Sequence, residues 1–152
     1  MLRTNLNDAL KQAMLTKDTR TVSTARLILA ALKDRDIAAR GQGHTEGIGE
    51  TDILQMLQAM IKQRWDSIAL YEQGGRLDLA RQEQEEIFVI ERFLPCQLNE
   101  AEMAAAIKAV IGDLCAQGLK DMGRVMSVLR ARHAGQMDFS RASTLVRERL
   151  SS

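Results

Sequence analysis

The stretch Thr51–Pro95, TDILQMLQAMIKQRWDSIALYEQGGRLDLARQEQEEIFVIERFLP, decides the fold. Leu54, Leu57, Ile61, Trp65 and Ile68 recur every three or four residues, which draws one apolar stripe on an α-helix. Gly74 and Gly75 interrupt it, and a second run carries Leu77, Ala80, Ile87, Ile90 and Leu94. Two long amphipathic helices joined by so short a turn predict an antiparallel helical hairpin. Pro95 is the only proline. It stops the second run, because the residue before a proline avoids the helical region.

The same period continues on both sides. Leu2, Leu6, Leu10 and Met14 predict a first helix. Asp18 is placed to cap a second, with Val22, Ala25, Leu29 and Leu32, that runs to about Arg40 and ends at Gly41. The four glycines of GQGHTEGIG, Gly41–Gly49, predict a mobile loop. Beyond Pro95, Asn99 with Glu102 three residues later reads as a capping box. It opens a fifth helix carrying Met103, Ile107, Val110, Ile111 and Leu114 that Gly118 ends. Asp121 is expected to cap a sixth (Met122, Val125, Met126, Leu129), closed by Gly135. Asp138 opens a seventh with Ala142, Leu145, Val146 and Leu150. The reading is all-α: a four-helix bundle-like part over residues 1–94, then a three-helix part over residues 95–152.

Composition narrows the function. With 152 residues the chain is one domain or two small ones, and the net charge of +1 creates no global field. Aromatic residues make up only 3%, which argues against RNA-binding sheets that stack bases on aromatic rings. No run of eighteen apolar residues predicts a membrane span, and MLRTNLNDAL lacks a signal-peptide core, so the expected location is cytoplasmic. Cys96 and Cys115 offer neither a disulfide framework nor C-x-x-C spacing and read as small apolar fillers. The eight methionines read as core.

Candidate chemistry is sparse. Three residues, not two, separate Gly43 from Gly47, and a helix precedes the loop, so it is no dinucleotide cradle. His44 and His133 have no partner at metal spacing, and no nucleophile elbow is present. No metal or cofactor is expected. Glu83 shares the stripe of Ala80 and Ile87 and is expected to point inward. Arg64, at a matching height across the hairpin, is its predicted partner in a structural ion pair, with Arg26 the alternative. Glu85, Glu86 and Glu91 read as a solvated face.

Charge is uneven. Residues 1–94 carry 13 basic and 14 acidic side chains, whereas residues 120–152 carry seven basic against three acidic, net +4. Lys120, Arg124, Arg130, Arg132, Arg141 and Arg147 are the candidate polyanion-binding residues, because such a patch neutralises phosphates without reading bases.

Three stretches resemble one family. MIKQRWDSIALYEQGGRLDLARQEQEEIFVIERFLPCQL (Met60–Leu98), KDTRTVSTARLILAALKDRDI (Lys17–Ile37) and KDMGRVMSVLRARHAG (Lys120–Gly135) are similar to the signatures of YqeY-like proteins. The resemblance implies kinship with the C-terminal tail of the B subunit of glutamine-dependent aspartyl/glutamyl-tRNA amidotransferase, a tail that contacts tRNA. The resemblance further implies a free-standing member of the family. Homologues often carry the label of a carbon–nitrogen ligase with glutamine as nitrogen donor. The tail motif maps onto Met122-Gly123-Arg124-Val125-Met126 and Gly135, with Gly123 suited to a close helix approach. Ser127 stands where glycine is usual. Gln136-Met137 stands where a basic and then a small residue are usual, which removes one positive charge.

Three functions follow as expectations. The first is a non-catalytic tRNA-interaction module in translation, acting beside an aminoacyl-tRNA synthetase or an amidotransferase. The second is a component of an amidotransferase. The third is a protein-interaction scaffold built on the acidic N-terminal part.

Overall fold

The computed structural model describes residues 1–151. It holds α1 (Leu2–Thr16), α2 (Thr19–Gly41), α3 (Glu50–Gln73), α4 (Leu77–Glu91), α5 (Glu100–Leu114), α6 (Met122–Arg132) and α7 (Phe139–Ser151). One 3-10 turn, Leu119–Asp121, precedes α6, and no strand occurs among the described residues. The fold is all-α. It divides into two compact units, Met1–Leu94 and Pro95–Ser152.

The first unit contains the hairpin α3–α4. Gly74 caps α3, and Gly75 takes a φ of 73°, a left-handed value that glycine adopts freely. The main core joins Leu6, Ile28, Ile53, Met56, Leu57 and Ile90, drawn from all four helices. A smaller core of Ile68, Ala80 and Ile87 lies within α3 and α4 alone, and Trp65 stands about half exposed. In α1 the buried face runs Leu2, Leu6, Ala13, and Met14 is exposed. A strict four-residue spacing drifts about 40° per step around a helix of 3.6 residues per turn, so the fourth position leaves the core side. Asp18 caps α2 as expected: its carboxylate accepts from the Thr21 N–H at 3.2 Å and the Thr21 hydroxyl at 2.6 Å. Pro95 lies beyond a turn at Arg92–Leu94, and α4 itself ends at Glu91.

The glycine loop is anchored at its Gly47–Ile48 end. The Asp36 carboxylate accepts from Arg3 Nη1 (2.6 Å) and Nη2 (2.7 Å) and from the Ile48 N–H (2.9 Å), while Arg3 Nη2 also donates to the Ile48 carbonyl (2.8 Å). Gly47 has φ 85°, and a Cβ there would collide with the Asp36 carboxylate. The Arg3 guanidinium holds the Asp36 carboxyl down to about 2, despite burial pulling the other way.

In the second unit the Asn99–Glu102 capping box opens α5. The helix ends at Leu114, and Cys115 takes the left-handed position (φ 52°). Gly118, expected to end it, is extended instead. Asp121 makes no cap to α6; its carboxylate accepts from the Gln117 N–H at 3.0 Å and so fixes the connection. The core is Ile107, Val110, Val125, Leu129, Met137 and Val146, with Met103 and Met126 beside them. Met137 in the α6–α7 turn is fully buried, so its bulk fills the core of this unit. Two more expectations fail. A Cβ at Gly123 would meet nothing within 4 Å, so no close helix approach requires that glycine. Cys96 and Cys115 are exposed and fill no core.

Candidate functional site

Two charged constellations emerge. In the first unit, Glu86 is the centre, not Glu83. Arg64 Nε donates to Glu86 Oε2 at 3.0 Å and stands 4.0 Å from Glu83 Oε2. Arg20 from α2 bonds Glu85 at 3.0 Å and lies 3.8 Å from Glu86 Oε1. The Glu86 side chain is 9% exposed and Arg64 11%, against 23% for Glu83. Arg26 is exposed and Arg20 takes its place. The expectation of a solvated Glu86 is therefore corrected. Glu86 sits one helical turn before Ile90, on the core stripe, and that spacing was the available signal. Burial and the Glu86 carboxylate push the Glu83 carboxyl above its usual range, with Arg64 opposing them. Removing either partner from a buried pair strands a charge, so the arrangement positions α2, α3 and α4. Beside it, Asp18, Arg20, Thr21, Phe88, Val89 and Arg92 line an open hollow of about 660 Å³, which carries both signs of charge.

In the second unit, Lys120, Arg124, Arg130, Arg132, Arg141 and Arg147 are all exposed. They do not form one face. Arg130 and Arg132 lie about 160° apart on α6 by helix geometry. Arg130 lies over the Phe139 ring of α7, 5.9 Å from its centroid, while Arg132 Nη1 bonds Asp113 of α5 at 2.8 Å. Arg124 Nη2 donates to the Leu114 carbonyl (3.0 Å) and to Asp121 (3.3 Å), and Arg141 Nε to Glu100 (3.2 Å). The Gln117 N–H foremost, with Arg124 and Lys120, keeps the Asp121 carboxyl below its usual range. Three of the six cations are thus matched by carboxylates at the α5 side. His133 is partly buried, and its Nδ1 lies 3.0 Å from Gln136 Oε1. No group of His, Cys, Asp or Glu placed to hold a metal occurs among the described residues.

The arrangement suits reversible charge contact with a polyanion. The model of the YqeY-like family matches residues 3–150 of this sequence. The chain belongs to the YqeY-like family. Among curated relatives it is 33% identical over 113 residues to "Altered inheritance of mitochondria protein 41, mitochondrial" of Lachancea thermotolerans, covering 72% of this chain and 58% of that protein. The Saccharomyces cerevisiae protein of the same name is 29% identical over 129 residues, with 79% and 68% covered. That of Vanderwaltozyma polyspora is 35% identical over 89 residues, with 59% and 46% covered. This YqeY-like chain therefore spans well under two thirds of the length of the first of these relatives. The names place those proteins in mitochondria. In the chain itself, no described helix is long and apolar enough to cross a membrane.

Proposed function

We propose that this YqeY-like protein is a helical tRNA-interaction module that serves translation by holding tRNA, with no bond-making step of its own. The observation that carries the reading is the exposure of all six candidate cations in a segment of net charge +4. Arginines in exposed ion pairs remain available, because such pairs contribute at most about 1 kcal/mol and an arriving phosphate competes for them. Family membership supports the same reading. An aminoacyl-tRNA synthetase or an amidotransferase is the proposed protein partner, and the cytoplasm the proposed compartment.

The test is tRNA binding across a salt series, with the wild type compared with Lys120→Ala/Arg124→Ala/Arg130→Ala. The expected result is salt-sensitive binding and a salt slope shallower by about two in the triple variant, one phosphate contact being worth about 0.7–0.9. Unchanged affinity in the variant contradicts the patch. Glutamine-dependent conversion of mischarged tRNA by the purified chain contradicts the non-catalytic part.

A further inference from the structure

The six cations fall into two sets, and the division follows the helix faces. Arg124, Arg132 and Arg141 each bond a carboxylate, on α5 or on the α5–α6 connection. Lys120, Arg130 and Arg147 hold no ion pair with a described carboxylate; Lys120 acts on Asp121 only through its field, and Arg130 lies over Phe139. By helix geometry, Arg130 lies on the flank of α6 that also carries Gly123 and Ser127. Arg130 reaching Phe139 places this flank toward α7. The facing flank of α7 carries Ser143 and Arg147, and the 3-10 turn that holds Lys120 packs against α7. Gly123 is open to solvent and Ser127 is exposed, so the floor between these cations is shallow. Asp138 stands at the α7 end of the seam, where its carboxylate accepts from the Ser140 N–H at 2.9 Å.

We propose that the α6–α7 seam, through Lys120, Arg130 and Arg147, is the track for an RNA phosphodiester backbone, and that the carboxylate-paired arginines on the α5 side contribute little to it. The proposal rests on the tRNA reading above. Phe139 lies eight residues before Arg147, so Arg130 and Arg147 stand about 12 Å apart along α7. That length lets one strand meet both cations. The Arg130 guanidinium, held against a ring, keeps its outer face for phosphate or an unpaired base. Charge complementarity selects the occupant: three unmatched cations and hydroxyl donors suit an anionic backbone, with small side chains that let it approach.

The experiment compares two charge-matched variants of the full chain, Lys120→Ala/Arg130→Ala/Arg147→Ala and Arg124→Ala/Arg132→Ala/Arg141→Ala, by fluorescence anisotropy with unfractionated tRNA. Each removes three positive charges, so any difference reports position and not net charge. The seam variant is expected to lose roughly tenfold or more in affinity and the α5-side variant less than about threefold. Ser127→Glu, an exposed change away from the core, is expected to weaken binding several-fold and guards against misfolding of the triple variants. Equal or greater loss in the α5-side variant overturns the seam while leaving the tRNA reading intact. No tRNA binding by the wild type overturns both. Binding of phosphatidylserine vesicles in preference to tRNA also overturns the proposal.

Discussion

The two units treat charge in opposite ways. All four buried polar residues, Thr21, Thr24, Asp36 and Glu86, belong to the first unit, and no polar side chain is buried in the second among the described residues. The first unit locks its helices with internal ion pairs that cannot be surrendered cheaply. The second is held by an apolar core and carries its cations on the surface, some without an ion pair and others in weak exposed pairs that a ligand can replace. Opposite placement of the same residue types separates structural charge from charge free to serve a function.

The contrast is sharpest at the ion pairs. Glu86→Ala removes the hydrogen-bonded partner of partly buried Arg64, leaving only Glu83 at 4.0 Å, and is expected to cost about 3 kcal/mol. Asp113→Ala, which removes the partner of exposed Arg132, is expected to cost under about 1 kcal/mol. Urea denaturation of both variants measures this, and equal costs would break the contrast.

Acid tests the same division. The folded Asp36 carboxyl is depressed to about 2 from 3.8, so its stabilisation is present above the unfolded value and is lost as pH falls through the folded one. The loss is expected between about pH 4 and pH 2 and amounts to about 2 kcal/mol. Glu83 is raised, so its protonation works in the other direction on acidification. Asp36→Asn should flatten the acid limb of the stability curve, and an unchanged limb would remove Arg3–Asp36 as its cause. The smallest effect is Asn99→Ala, expected to cost about 1 kcal/mol through loss of the capping box. Thermal unfolding reads it as a modest shift.

Much of the fold was legible, because seven amphipathic stripes and their local caps are short-range signals. The Asp18 and Asn99 caps and the Gly74–Gly75 turn needed only neighbouring residues. Asp121 was not legible as a loop anchor, since the choice between the α6 amides and Gln117 depends on how the connection folds. Arg3–Asp36 joins residues 33 positions apart with no periodic signal. At the candidate interface, composition located the cations but not their partners: Asp113 and Glu100 reach Arg132 and Arg141 only after α5 packs against α6 and α7. Glu86 was readable from its spacing to Ile90, yet three neighbouring acidic residues made it resemble a solvated face.

The most direct measurement is an amide NMR titration of the isotope-labelled full chain with tRNA. Shifts are expected to concentrate at Lys120, Gly123, Ser127, Arg130 and Arg147, and to fade as salt rises. Shifts confined to α2–α4, or persisting unchanged at high salt, would contradict that expectation.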